Sequence, residues 1–391
     1  MGECMRVLTV FFRLRSAAAA ACLLGLAGIA SAEMSRDSVE LGVISAFSGS
    51  DAAEGLEWHD GVKLAVSQIN AAGGILGRPV TLVLYDTESS PQLARLAARE
   101  AARDDVFVIL GPDNHSAGVL AMPEAEANAI PQFTAPPVNG LSLAGKEFVF
   151  ADDTSIWNGL YNLGTYLEDH LTSRRVGIVW THEIEHLMGQ MFFRDLARAL
   201  NLTIVSEHVI PQDDAALTGT MRIIEQQAPE AVVVFASAKN SVRLLNAASK
   251  AEVKTVFYGG SVLGSHEVIS SAAASANGVI SHMDFAMDQA NLTLRRVMQD
   301  FVDAYDHMPT ESAIRGYSTT FVVKYVTEQI KQLDRAMFAE AMHGLCISPF
   351  DMPQIINETC WDDLGNMARA SFIVEVQDER QVLMRSVPPL H

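Results

Sequence analysis

The chain has 391 residues, 49% of them hydrophobic and 19% charged, a mixture that builds packed cores and excludes a long disordered tract. Its length suggests two domains. A formal net charge of −19 excludes nucleic acid and anionic membrane as natural partners, because an acidic surface repels both.

The first 32 residues read differently from the rest. Arg6, Arg13 and Arg15 precede the apolar run Ala17 to Ile29, and Ala30-Ser31-Ala32 follows it. That order is a secretory signal peptide cut before Glu33, which predicts a periplasmic mature chain. The run is too short to span a bilayer comfortably. Cys22 lacks a leucine three residues before it, which argues against lipoprotein processing. Cys4 and Cys22 leave with the leader, and Cys346 and Cys360 remain. In an oxidising compartment these two read as one disulfide, with two free thiols as the alternative.

From Val39 onward, short apolar runs alternate with amphipathic stretches. Val39 to Ile44 is a predicted strand, and Leu56 to Ala71 a helix with Val62, Ala65, Val66 and Ile69 at helical spacing. Val80 to Tyr85 is the next strand, and Ser90-Pro91 opens a helix with a cap residue and a proline at its first position. Val106 to Leu110, Phe148 to Ala151, Val176 to Trp180, Leu202 to Val205, Ala231 to Phe235 and Thr255 to Tyr258 continue the series. Nearly continuous apolar strands alternating with helices predict doubly wound, mostly parallel α/β sheets. The tail from Trp361 turns to strand-like segments. In such sheets ligands sit beyond the carboxyl ends of the strands, so the loops just after each strand carry the function.

His182-Glu183-Ile184-Glu185-His186 spells HExxH, the helix motif in which two histidines one turn apart hold zinc. The longer pattern then fails, since its third histidine falls on Phe192. The segment also follows a buried-strand pattern, so it reads as a loop at a cleft rim, with a zinc hydrolase or incidental metal binding as the alternatives. No Gly-x-Ser-x-Gly or P-loop pattern is present. Neither a catalytic residue, a metal ligand nor a cofactor is assigned, and the chain is expected not to be an enzyme.

Six segments carry a resemblance. Val43 to Gly49, Asp60-Gly61, Ile69 to Pro79, Tyr85-Asp86-Thr87 and Ile109 to Pro112 are similar to the first lobe of the leucine/isoleucine/valine-binding proteins, and Trp361 to Asn366 looks like the family's final-lobe turn. The resemblance implies a type I periplasmic-binding fold, two doubly wound lobes joined by three crossovers near Ala151, Ser281 and Ile355. Lobe one would hold residues 33–151 and 282–354, and lobe two 152–281 and 355–391. It implies a monomer that closes on a small solute and delivers it to an ABC permease and its ATPase subunits. A sensor docking on a membrane receptor would look the same.

The implied ligand contacts depart from the family pattern. Counting from Gly111 reaches His115, with Asn114 and Ser116 beside it, as donors for a ligand carboxylate. The next loop is Thr134-Ala135-Pro136-Pro137-Val138-Asn139, in which Val138 replaces a hydroxyl and the prolines remove two N–H donors. Ser261 holds the place of the second lobe's acid, Glu54 or Ala53 that of a covering aromatic, and Met188-Gly189 that of a Tyr-Gly pair. Lys239 opens a helix and reads as a solvent-exposed helix start, with reach to an anionic solute as the alternative. These changes disfavour free leucine, isoleucine or valine and favour a carboxylate, amide or uncharged polar solute, unless Asp113 or Glu54 supplies the missing acid.

Overall fold

The computed structural model describes residues 38–135, 143, 145–287 and 291–389; the leader, Pro136, Pro137 and Val138 lie outside them. The chain alternates as expected. β1 (Val39–Ser45), α1 (Ala52–Ala71), β2 (Val80–Asp86), α2 (Pro91–Arg103), β3 (Val108–Leu110), α3 (His115–Ala127), β4 (Gln132–Thr134) and β5 (Val149–Ala151) come first. Their strands form a parallel sheet in the order β2-β1-β3-β4-β5.

α4 (Ile156–His170), β6 (Arg175–Trp180), α5 (Ile184–Ala199), β7 (Thr203–Val209), α6 (Asp214–Gln227), β8 (Ala231–Phe235), α7 (Ala238–Lys250), β9 (Val256–Gly259), α8 (His266–Ala272) and β10 (Ile280–Met283) build the second lobe. The chain then returns through α9 (Leu292–Tyr305), α10 (Glu311–Ile330) and α11 (Arg335–Met342) to the first. β11 (Cys346–Ile347), β12 (Thr359–Trp361) and β13 (Met367–Arg369) make a small antiparallel sheet. β14 (Ser371–Gln377) and β15 (Arg380–Val387) complete a seven-stranded sheet, β15-β14-β10-β9-β8-β6-β7. It is parallel from β10 to β7, with an antiparallel hairpin at the other edge.

The capping chemistry read from the sequence is in place. Ser90 accepts from the Leu93 N–H at the start of α2, with Pro91 at the first helical position. The helix then buries Ala94, Ala97, Ala98 and Ala101, whose small side chains let it lie close to α3. β8, Ala231 to Phe235, is buried at every residue, as a strand covered on both faces must be.

The third crossover corrects an expectation. Residues 355–369, expected in lobe two, pack with lobe one: Ile355, Ile356, Trp361 and Met367 share the core of Phe133 and Phe150. Trp361 stands edge-on to Phe133 at 6.2 Å and donates its indole N–H to the Ala151 carbonyl at 2.8 Å. Truncating a buried aromatic of this size typically costs about 3–5 kcal/mol, so the segment stays where that surface is covered. The chain enters the second lobe only between Arg369 and Ser371.

One helix pair sets the geometry of the cleft mouth. A Cβ on Gly61 of α1 would lie 1.9 Å from the Ala313 carbonyl oxygen, and one on Gly316 of α10 would lie 2.4 Å from that of Trp58. Only glycines permit this approach, and it fixes α10 against the mouth of the first sheet.

Candidate functional site

The carboxyl ends of the first sheet's strands form one wall. After β1, the loop is folded by Asp86, which accepts from the N–H groups of Phe47 (2.9 Å), Ser48 (3.2 Å) and Glu88 (2.8 Å) and from the Ser48 hydroxyl (2.7 Å). Burial opposes ionisation there, but these bonds outweigh it and hold the carboxyl below its usual range. The loop delivers Glu54 to the first turn of α1. Burial of its carboxyl, then Asp113, raises the Glu54 pKa.

After β3, Asp113 accepts from the Ser45 hydroxyl at 3.3 Å, and burial raises its pKa despite Arg315. Glu54, Asp113, Asn114, Asp51, Ala46 and Pro112 line one hollow.

Asn114 and Ser116 have a local use. Asn114 is the N-cap of α3, and its side-chain oxygen accepts from the Ser116 N–H (3.0 Å), the Ala117 N–H (3.3 Å) and the Ser116 hydroxyl (2.6 Å). The donors expected for a ligand carboxylate close on a cap instead. His115 lies half-buried beside them.

The second lobe supplies the other wall. Glu185, exposed in the first turn of α5, acts electrostatically on Glu54 across the cleft. Met188 is half-buried one turn on, and Lys239 is exposed at the start of α7. Ser261, after β9, stands close enough to Glu311 at the start of α10 for its hydroxyl to favour the ionised form of that carboxyl.

HExxH does not lie on one helix. His182 is exposed and precedes α5, Glu183 is the N-cap residue, and His186 sits in the first turn. His186 Nδ1 is 2.6 Å from the Thr181 hydroxyl and 3.3 Å from Glu183. Among the described residues, no three His, Cys, Asp or Glu side chains are grouped to hold a metal ion.

Behind the cleft, charged residues from all three crossovers meet. Arg315 of α10 pairs with Asp153 and lies 3.7 Å from Asp152. Thr154 donates to Asp284 at 2.9 Å, and Arg369 lies 3.9 Å from Asp284. Asp152 is wholly buried with neither carboxylate oxygen hydrogen-bonded, and burial pushes its pKa up to about 6. Burial also opposes ionisation of Asp153, but Arg315, Arg369 and His115 hold its carboxyl low. Burial and the neighbouring Asp153 raise Asp284. Burial and Asp284 push Glu311 up to about 8. Sequence reading missed this network, although Asp152-Asp153 and Asp284 each directly follow a strand end, the same signal that picked out the other loops. Cys346 and Cys360, paired across β11 and β12, are disulfide-bonded.

No helix among the described residues is long and apolar enough to cross a membrane. The sequence pattern of the periplasmic binding protein family matches residues 38–381. A Leu/Ile/Val-binding protein homologue of Brucella abortus is 23% identical over 295 residues, 72% of this chain and 73% of that protein. Among solved structures, a leucine-binding protein of Thermotoga maritima superposes with a TM-score of 0.72 at 18% identity, covering 90% of this chain and 99% of that one. A solute-binding protein of Rhodopseudomonas palustris, solved with 3,4-dihydroxybenzoic acid, gives 0.77 at 16% identity, over 91% and 98%. With two α/β lobes, three crossovers and a family match across nearly all the described residues, the chain belongs to the periplasmic binding protein family.

Proposed function

We propose that the chain is the extracytoplasmic solute-binding component of an ABC importer. Exported to the periplasm as a monomer, it closes two lobes on a small polar solute and presents the closed form to a permease driven by ATPase subunits. The observation that carries this reading is the pair of facing walls. Glu54, in the first turn of α1, and Asp113, just after β3, line one hollow at the carboxyl ends of the first sheet, where open α/β sheets bind ligands, and Glu185 of the other lobe acts electrostatically on Glu54. Closure about the crossovers would bury a solute between them.

The structural relatives solved with ligands hold isoleucine, leucine, benzoate or 3,4-dihydroxybenzoic acid, so this scaffold accommodates chemically different solutes. A thermal-melt screen of amino acids, amides, carboxylates and amines tests the reading. A solute at about 100 times its Kd stabilises the folded state by about 2.7 kcal/mol, a rise of several degrees. Failure of every class to raise the melting temperature, confirmed by calorimetry, contradicts it.

A further inference from the structure

We propose that Arg369 and Asp284 form a latch between the lobes, unmade in this conformation and made on closure, which sets how readily the cleft shuts without touching the solute. The proposal rests on the solute-binding reading and adds a device that governs closure.

The two groups belong to different lobes. Arg369 ends β13, in the small sheet that packs with the first lobe, and its Nε donates to the Thr359 hydroxyl of β12 at 3.4 Å. Asp284 directly follows β10 of the second lobe, and its Oδ2 accepts from Thr154 of the first crossover at 2.9 Å. The Arg369 side chain is 2% exposed and that of Asp284 13%, so both charges are largely out of water. Arg369 Nη1 lies 3.9 Å from the Asp284 carboxylate, within reach of an ion pair but beyond a hydrogen bond, which needs roughly 2.7–3.2 Å. Among the described residues, Arg369 Nη1 and Asp284 Oδ1 are buried and have no hydrogen-bond partner. A donor and an acceptor of opposite charge thus stand side by side, unjoined.

Neighbours hold each group in place. The Arg369 guanidinium lies 4.8 Å from the centre of the Phe285 ring, and Asn357 donates to the Asp284 carbonyl at 2.6 Å. The gap therefore depends on how the ends of β10 and β13 are set relative to each other, which is what hinge rotation changes. It exceeds a hydrogen bond by only roughly 1 Å, a shift of the size expected near a rotation axis. Closure also dries the cleft floor, and an unmade buried charge pair costs most in the driest state. Closure and pair formation go together. A second pair has the same gap: Arg315 Nε and Asp152 stand 3.7 Å apart, and neither Nε nor either Asp152 oxygen is hydrogen-bonded.

A made pair favours ionised Asp284. In this conformation burial and Asp153 oppose that ionisation, and Glu311 of α10 is a further acid beside it. Asp153 is faced in turn by Arg315, Arg369 and His115, and Asp152 by Arg315, Asp153 and Asp113. His282 of β10 is pushed down to about 4 by burial and stays neutral. The latched state holds fewer protons at Asp284, so its share rises with pH.

The native cysteines are paired, so dyes attached at Glu100→Cys of α2 and Asp195→Cys of α5, both exposed positions, report the interlobe distance in single molecules without any solute. The short-distance population of the exported chain is expected to grow by about twofold or more between about pH 5 and pH 9. Asp284→Asn and Arg369→Gln should each abolish that growth. The parent series needs no hinge substitution, so it decides even where a variant does not fold. A pH-independent distribution in the parent overturns the latch, as does growth that persists unchanged in either folded variant. Failure of the solute screen leaves this result untouched and counts against the solute-binding reading alone.

Discussion

Ser261 on the second lobe stands close enough to Glu311 on the first for its hydroxyl to favour the ionised form of that carboxyl. Glu311 also accepts from the Phe285 N–H at 3.2 Å, so it touches the second crossover as well. This carboxylate stands beside the position where the family pattern led us to expect an acid, but it comes from a different helix.

Burial first, then Asp284 and Asp153, push Glu311 up to about 8. The folded state therefore holds a proton that the unfolded chain releases. The resulting stability is fully present below the unfolded value near 4.5 and is lost as pH rises through about 8. Ligand-free melting temperature should fall between about pH 5 and pH 9, and Glu311→Gln should flatten that fall. Parallel curves for the two proteins would contradict the assignment.

Gly61→Ala should be destabilising, because its methyl group would start 1.9 Å from the Ala313 carbonyl. Overpacking of this kind costs typically 1–3 kcal/mol, or about 2–9 °C of melting temperature. The same shift of α10 moves Arg315 and Glu311, so solute affinity should fall too. A variant that melts and binds like the parent would show that α10 tolerates displacement.

Replacing Cys346 and Cys360 with serine removes a link between residues 14 apart in sequence. In the chain-entropy account a loop of about this length is worth roughly 3 kcal/mol. The doubly substituted protein should melt several degrees lower, and unreduced, denatured parent protein should show no free thiols. Two thiols per chain would contradict the bond.

Chelation should leave melting temperature and solute affinity unchanged. His186 is held by Thr181 and Glu183, and His182 lies outside the helix. Stoichiometric zinc lost from a His182→Ala, His186→Ala protein would overturn this loop assignment.

Much of the architecture was legible because buried parallel strands leave an unmistakable apolar pattern, as Val176 to Trp180 and Ala231 to Phe235 do. Loop motifs carried the family: Asp86 is a folding residue whose place at the end of β2 sequence alone revealed. The site was less legible for two reasons. Asn114 and Ser116 have the chemistry of ligand contacts, but a helix start competes for the same groups. Glu311, Arg315 and Arg369 reach the site from elements far along the chain, and nothing local in sequence marks that meeting. Trp361 misled in a third way: a strand-like segment does not say which of two lobes buries its aromatic ring.

Closure of the two lobes on a solute is the central claim. Small-angle X-ray scattering of the exported chain, with and without a saturating solute taken from the thermal-melt screen, tests it most directly. A smaller radius of gyration is expected in the bound sample, from hinge closure about the three crossovers. An unchanged radius at full occupancy would contradict it.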